Sequence, residues 1–223
     1  MPKQIEDTQR KGILFVVSAP SGAGKTTLCG NVLKRMAHLQ FSISHTTRKP
    51  RPGEKDGKDY FFVDEPTFRQ GISEGAFLEW AEVHGHCYGT SKKQLEQWAS
   101  QGVDVLLDID TQGAMHLQKT LEGGIYIYIL PPSFDILRER LIARGSDAPE
   151  EIAKRLQTAG EEIRYYHRYH YLIINEASEP ATQNLEAIIL AERLRLRLEN
   201  RNWVEDRFIR LLSRKRNTIT SSR

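Results

Sequence analysis

The stretch "LFVVSAPSGAGKTTL" (Leu14–Leu28) decides the fold. Its first half belongs to an almost wholly apolar, β-branched run, "GILFVVSA" (12–19), as expected of a strand buried on both faces of a sheet. A loop of small residues follows, and "KTTLCGNVLKRM" then reads as a helix. Strand, small-residue loop and helix in that order make a phosphate-binding loop of the G-x-x-x-x-G-K-[ST] kind. Gly22 and Gly24 permit backbone angles that turn N–H groups inward around a phosphate, and the helix N-terminus adds partial positive charge. Lys25 can reach β- and γ-phosphates, and the Thr26 hydroxyl is placed to ligate Mg²⁺. Ala19 stands where the pattern has its first glycine. That position serves the strand exit, so alanine costs little if it keeps a negative φ. The nucleotide-binding run is therefore Ala19, Pro20, Ser21, Gly22, Ala23, Gly24, Lys25, Thr26 and Thr27. A corner that merely happens to contain G-A-G-K-T is the competing reading, and the flanking strand and helix weigh against it.

Outward from the loop, "VDVLLDID" (103–110), "IYIYIL" (125–130) and "YLIIN" (171–175) read as further buried strands. Helical patterns separate them at Lys92–Ser100, Thr111–Thr120, Phe134–Arg144 and Glu150–Tyr166, and a long final helix starts at about Ala181. Strands alternating with helices imply an α/β fold, a parallel sheet covered on both faces in three layers. The segment Phe41–Thr90 breaks this rhythm. "FSISHTTR", "DYFFVD" and "FLEWAEV" look like short strands, joined by the turn-rich "KPRPGEKDG" and a short helix near Thr67–Gly75, so the segment reads as a small β-rich insertion.

Bulk properties limit the function classes. At 223 residues, 39% hydrophobic and 27% charged, the chain fits one globular domain with insertions. No apolar run approaches the roughly 20 residues of a membrane span, and the polar "MPKQIEDTQRKG" is no signal peptide. Two cysteines, Cys29 and Cys87, build no disulfide framework, in keeping with a cytoplasmic location. The net charge of +3 comes from the last residues, where Arg207, Arg210, Arg214, Lys215, Arg216 and Arg223 face no acid. A basic tail without interleaved aromatics is no argument for nucleic-acid binding.

The runs "SAPSGAGKTTL", "FSISHTTRKPRPGEKDGKDYFFV", "FLEWAEVHGHCYGT", "LLDIDTQGA" and "LIARGSDAPEEIAKRL" follow one another as in guanylate kinases, and the chain resembles that family from about residue 12 to 200. The resemblance implies a P-loop α/β core with a GMP-binding insertion and a mobile helical lid, transferring the γ-phosphoryl of ATP to GMP with Mg²⁺. On that frame, residues 1–11 are a flexible N-terminus and 12–206 the domain. Its core is 12–40, 91–130 and 165–206, its insertion 41–90 and its lid about 131–164. Residues 207–223 are a basic tail, frayed at its end.

The residue chemistry agrees. An acceptor monophosphate carries about two negative charges, and Arg48 and Arg51 can clamp it through forked hydrogen bonds while Pro50 and Pro52 stiffen the chain around them. Tyr60 and Tyr88 offer phenolic donors to the same phosphate, as the family's tyrosines do. A solvated basic turn is the plain alternative for "TRKPRPGEK" taken alone. Guanine presents N1–H and N2–H₂ donors beside an O6 acceptor. By resemblance Glu79 faces the donors, Ser44 and Thr90 supply hydroxyls, and Asp110 assists near the exocyclic amine. Thr90 stands where many family members have serine and keeps the hydroxyl. Asp108, ending the apolar "VDVLL", is placed for the metal beside Thr26; either it or Asp110 could cap the helix that starts near Thr111.

Phosphoryl transfer needs alignment and cations rather than covalent help. Arg140 and Arg144, four apart, share a helix face. With Arg155 they match the family's lid arginines and, with Lys25 and Arg48, make up the expected catalytic set. Asn175 matches a family position near the adenine. His170 replaces a common Asp, with no consequence assigned. "HGHC" (84–87) and "YYHRYHY" (165–171) lack the paired spacing of a zinc site, and Cys29 reads as a small buried side chain. The expected activity is phosphorylation of GMP and dGMP. The alternatives are a catalytically inactive guanylate-kinase-like module that binds proteins, or a kinase for another monophosphate. Retention of Lys25, Thr26 and the lid arginines opposes the first, and the set Ser44, Glu79 and Thr90 the second. The final helix, with "LEAIILAERLRL", could pair subunits.

Overall fold

The computed structural model describes residues 11–83, 85–143, 148–196, 201 and 204–210. At its centre lies β1 (Leu14–Ser18). Phe15 and Val17 point into one apolar core and Val16 into another, and all three are fully buried. This is why the run shows no polar alternation. β1 pairs in parallel with β7 (Asp104–Asp108) on one side and β8 (Ile125–Leu130) on the other. β9 (Tyr171–Ile174) adds beyond β8, and β2 (Leu39–Phe41) beyond β7, giving the order β2-β7-β1-β8-β9.

Helices α1 (Lys25–Arg35) and α7 (Ser178–Leu194) cover one face, burying Leu28, Val32, Leu185 and Ile189 against Phe15, Val17, Leu106 and Ile127. Helix α4 (Thr111–Thr120) covers the other through Ala114 and Leu117 on Val16 and Leu107. The three-layer expectation is met.

The insertion is a second, four-stranded sheet in the order β4-β3-β6-β5: β3 (His45–Thr46), β4 (Phe61–Phe62), β5 (Phe77–Val83) and β6 (His86–Ser91). Three details differ from the sequence reading. "FSISHTTR" is not one strand, because Phe41 ends β2 in the core sheet and His45–Thr46 begins the second sheet. β6 was not read as a strand, since its buried positions are Cys87, Gly89 and Thr90, which carry no apolar alternation. Helix α2 (Glu65–Ser73) starts before the expected Thr67, because the Asp64 carboxylate accepts from the Thr67 N–H and Pro66 suits a first turn.

Helices α3 (Lys92–Ser100) and α4 match their expected bounds. α5 (Phe134–Ala143) and α6 (Pro149–Ile163), in the segment expected to be a lid, pack as a pair around Leu137, Leu141 and Ala159. α6 ends before the expected Tyr166, and a 3₁₀ turn at Tyr166–Arg168 takes over. α7 begins three residues ahead of Ala181, with Pro180 in its first turn. Its outer face carries Leu190 and Leu194, the latter 79% exposed. No helix among the described residues is long and apolar enough to cross a membrane. The basic residues Arg214, Lys215, Arg216 and Arg223 lie outside the described residues, as do residues 1–10.

Candidate active site

The loop between β1 and α1 closes over the carboxyl ends of the parallel strands, where ligands of open α/β sheets bind. Gly22 and Gly24 both sit at φ +94°. A Cβ on Gly24 would collide with the Asn175 side-chain amide, so neither the angle nor the space admits another residue. Ala19 keeps a negative φ, the condition set for its tolerance. Ser21 and Thr26 are exposed, as is Thr27, whereas Pro20 and Ala23 are buried.

Lys25 reaches across to β7. Its ammonium pairs with the Asp108 carboxylate and donates to the Ile109 carbonyl at 3.0 Å. Of the metal candidates, Thr26 follows Lys25 on α1 and Asp108 ends β7, where it pairs with that lysine. Asp110 caps α4: its Oδ1 accepts from the Gly113 N–H at 2.7 Å, so capping falls to Asp110 and leaves Asp108 to the lysine. Cys29 is buried as expected, and burial pushes its thiol far up, out of reach of ionisation.

Asn175, carried over as an adenine contact, buttresses the loop from behind. It is 5% exposed, and its Nδ2 donates to the Ala23 carbonyl at 2.7 Å. Arg140 in turn donates to the Asn175 carbonyl at 2.9 Å and the Glu176 carbonyl at 3.2 Å. Arg155 brings Nη1 to 3.5 Å from the Ser21 Oγ. Helices α5 and α6 therefore touch the strand end behind the loop and the loop itself. Arg144 lies outside the described residues.

Facing the loop, a cavity of about 200 Å³ is lined by Ser44, Tyr60, Glu79, Ala81, Tyr88, Asp108, Ile109 and Asp110. Five predicted acceptor-site residues thereby line one cavity with Asp108, the partner of Lys25. Glu79 is 7% exposed and accepts from the Thr90 hydroxyl at 2.6 Å. Thr90 is fully buried, so in this structure its hydroxyl serves the carboxylate rather than the cavity. Burial pushes the Glu79 carboxyl above its ordinary value, the Thr90 bond pulls it back, and the Asp110 charge pushes it up again.

At the other end, the Arg48 guanidinium lies 5.2 Å from the Tyr60 ring centre and 5.8 Å from that of Phe62. Tyr60 and Tyr88 meet edge to face at 6.0 Å. Burial, above all, raises the Tyr60 phenol, so it remains a donor at neutral pH. Arg51 is exposed, with its backbone N–H held by Glu54.

Three features escaped the sequence reading. Glu54 binds Arg48 through an ion pair at 2.8 Å. Glu162, near the end of α6, is pushed up to about 7, chiefly by burial and then by the Asp110 charge, with Lys25 opposing. His170, to which no consequence was assigned, accepts the Tyr126 N–H on its Nδ1 at 3.0 Å, a place where an aspartate carboxylate could accept equally well. Glutamates in a chain with 29 acidic residues carry no mark of such roles; only the folded neighbourhood supplies one.

The guanylate kinase family model matches residues 11–192. The guanylate kinase of Geobacter metallireducens is 49% identical over 187 residues, spanning 84% of this chain and 92% of its own length. That of Thermotoga maritima is 44% identical, over 83% and 90%. The crystal structure of the guanylate kinase of Anaplasma phagocytophilum superimposes with a TM-score of 0.73 at 35% identity, covering 90% of this chain and 97% of the other. With a matched family model over most of its length and relatives near half identity, the chain belongs to the guanylate kinase family.

Proposed function

We propose that this chain phosphorylates GMP, and dGMP with it, at the expense of ATP, and that the residues gathered around the cavity do the work. The observation that carries the reading is the shared cavity: Glu79 for a base, Tyr60 and Tyr88 for a phosphate, and Asp108, which holds the P-loop lysine. The loop from Ala19 to Thr27 holds the donor phosphates through inward N–H groups, with Lys25 on the β- and γ-phosphates. Asn175 keeps the loop shaped from beneath. Guanine enters with N1–H and N2–H₂ toward Glu79, whose charge Thr90 orients; Ser44 faces O6 and Asp110 assists at the amine. Adenine would leave the Glu79 carboxylate without a donor.

Arg48, Arg51, Tyr60 and Tyr88 clamp the acceptor phosphate, so that its oxygen points along the cavity toward Lys25. Arg140 and Arg155, with Arg144, surround the migrating phosphoryl group with positive charge and displace water. The exposed Thr26 hydroxyl and the Asp108 carboxylate are hard oxygen donors of the type Mg²⁺ prefers, and would hold it with ATP. When bound, magnesium neutralises charge on the donor phosphates. Lys25 and Arg155 standing at the loop support a working enzyme over an inactive protein-binding module.

The test is turnover with MgATP against GMP, dGMP, AMP, CMP and UMP, following ADP by chromatography. Turnover confined to GMP and dGMP is expected. Binding of GMP without turnover would favour the inactive module, and a different preferred acceptor would overturn the role of Glu79.

A further inference from the structure

The Glu54 carboxylate uses its two oxygens on two different arginine positions. Oε1 accepts from Arg48 Nη2 at 2.8 Å, and Oε2 accepts from the Arg51 backbone N–H at 2.7 Å. The Glu54 N–H closes the same turn by donating to the Arg51 carbonyl at 3.0 Å. Arg48 is otherwise held by its own turn, with Nη1 on the Lys49 carbonyl at 2.8 Å, and by the rings of Tyr60 and Phe62. The pair is well covered, with side-chain exposures of 11% for Arg48 and 20% for Glu54.

We infer that Glu54 is a positioning residue for the acceptor phosphate: it ties the side chain of the first clamp arginine to the main chain of the second, before any nucleotide arrives. The inference rests on the reading of GMP as acceptor. Two guanidinium groups converging on one phosphate repel each other while it is absent, and a flexible arginine loses rotamer freedom when it is fixed on a ligand. A carboxylate bridging both positions counters the repulsion and removes much of that freedom in advance, so less is lost on binding. The planar guanidinium presents five N–H donors in a fixed fork, so a bond to Glu54 on one edge orients the remaining edges.

An opposite role is chemically conceivable. Glu54 could compete with the phosphate for Arg48, and its removal would then tighten binding. The sign of the effect separates the two.

The experiment compares wild type, Glu54→Gln and Glu54→Ala in the full chain, by calorimetric titration with GMP and with guanosine, which has the base but no phosphate. Positioning predicts a GMP affinity weakened roughly 10-fold or more in Glu54→Ala. Glu54→Gln should be partly rescued, because its amide oxygen can still accept one bond. Guanosine affinity and KM for ATP should stay within about twofold, which general loosening of the fold would not spare. Tighter GMP binding in either variant, or equal weakening for GMP and guanosine, overturns the inference. Wild type that binds neither ligand would instead overturn the reading of the acceptor on which it rests.

Discussion

The donor loop, through Lys25 on Asp108, and the acceptor sheet, through the cavity that Asp108 also lines, converge on the end of β7 but are built in opposite ways. The loop is shaped by backbone: two glycines at φ +94°, a buried asparagine bonded to the Ala23 carbonyl, and a lysine held at the carboxyl end of β7. Ala19 and Ala23 of the loop are buried in the main core together with β1. The acceptor sheet is shaped by side chains. Its strands β3 and β4 have two residues each, and its charged groups are placed by Glu54, by aromatic rings and by Thr90 beneath Glu79. A phosphate chain presents the same oxygens in every nucleotide, so a backbone cradle suffices for it. A base must be told from its relatives, and only side chains offer that choice. Substitutions in the loop should therefore damage fold and catalysis together, while those in the sheet should change selectivity and leave the donor site alone.

The largest effect is expected from Gly24→Ala. The new Cβ meets the Asn175 amide, and the φ of +94° disfavours alanine whatever the space. Stability should fall by about 1–3 kcal/mol, and kcat by roughly 10² or more as the N–H cradle shifts. Urea unfolding and steady-state rates measure both; a variant as stable and active as wild type would show the loop is not so tightly determined. Next comes Glu79→Gln on the other side of the comparison. Replacing one carboxylate oxygen by an NH₂ group sets donor against donor at guanine. Charge-assisted bonds of about 1.5–3 kcal/mol are at stake, a loss of roughly 10- to 100-fold in kcat/KM for GMP. KM for ATP should be unchanged, and the AMP-to-GMP ratio of kcat/KM should rise. A parallel loss for ATP would mean the two regions are not separable.

The same contrast explains what could be read from the chain. Around the loop the determinants are local: "GILFVVSA" shows its burial as an unbroken apolar run, and the glycines and Lys25 lie within a few residues of one another. Fold class and the strand–loop–helix corner from Leu14 to Arg35 were legible for that reason. In the second sheet the determinants are distant. β6 keeps small and polar residues at its buried positions, and Phe41 and His45 look like one strand although they serve two sheets. The structural role of Asn175 could not be read locally for the same reason: its partner, Ala23, is 152 residues away. Family likeness placed it near the donor, but only packing shows that it holds the loop. Glu54 and Glu162 were silent altogether, since a carboxylate acquires its role from neighbours that the linear chain does not display.

Asn175→Ala probes the loop's support without touching its glycines. It leaves the buried Ala23 carbonyl without its side-chain donor, at a cost of about 1–3 kcal/mol. KM for ATP should rise several-fold while KM for GMP stays within about twofold. Equal changes in both would place Asn175 at the hinge between the regions and not behind one of them.

The smallest expected effect concerns Glu162 of α6, which feels both Asp110 and the P-loop lysine. Burial and the Asp110 charge raise its carboxyl to about 7 in the folded chain, from an ordinary 4.5, with Lys25 opposing. The folded state thus holds a proton that the unfolded chain has released, and the direction follows from linkage. Below about pH 4.5 the group is protonated in both states and costs nothing. Between about pH 4.5 and 7 stability falls as pH rises, and above that range the full cost of a charged, half-buried carboxylate is borne. Glu162→Gln removes the titration. Discounted for residual exposure and screening, the difference is of the order of 1 kcal/mol, or about 2–4 °C in a domain of this size. The variant should melt above wild type at pH 8 and level with it at pH 4. The same comparison with GMP bound asks whether the acceptor site and the lid share this proton: a pH dependence unchanged by GMP would assign Glu162 to the lid alone, whereas one that moves would couple lid closure to the sheet.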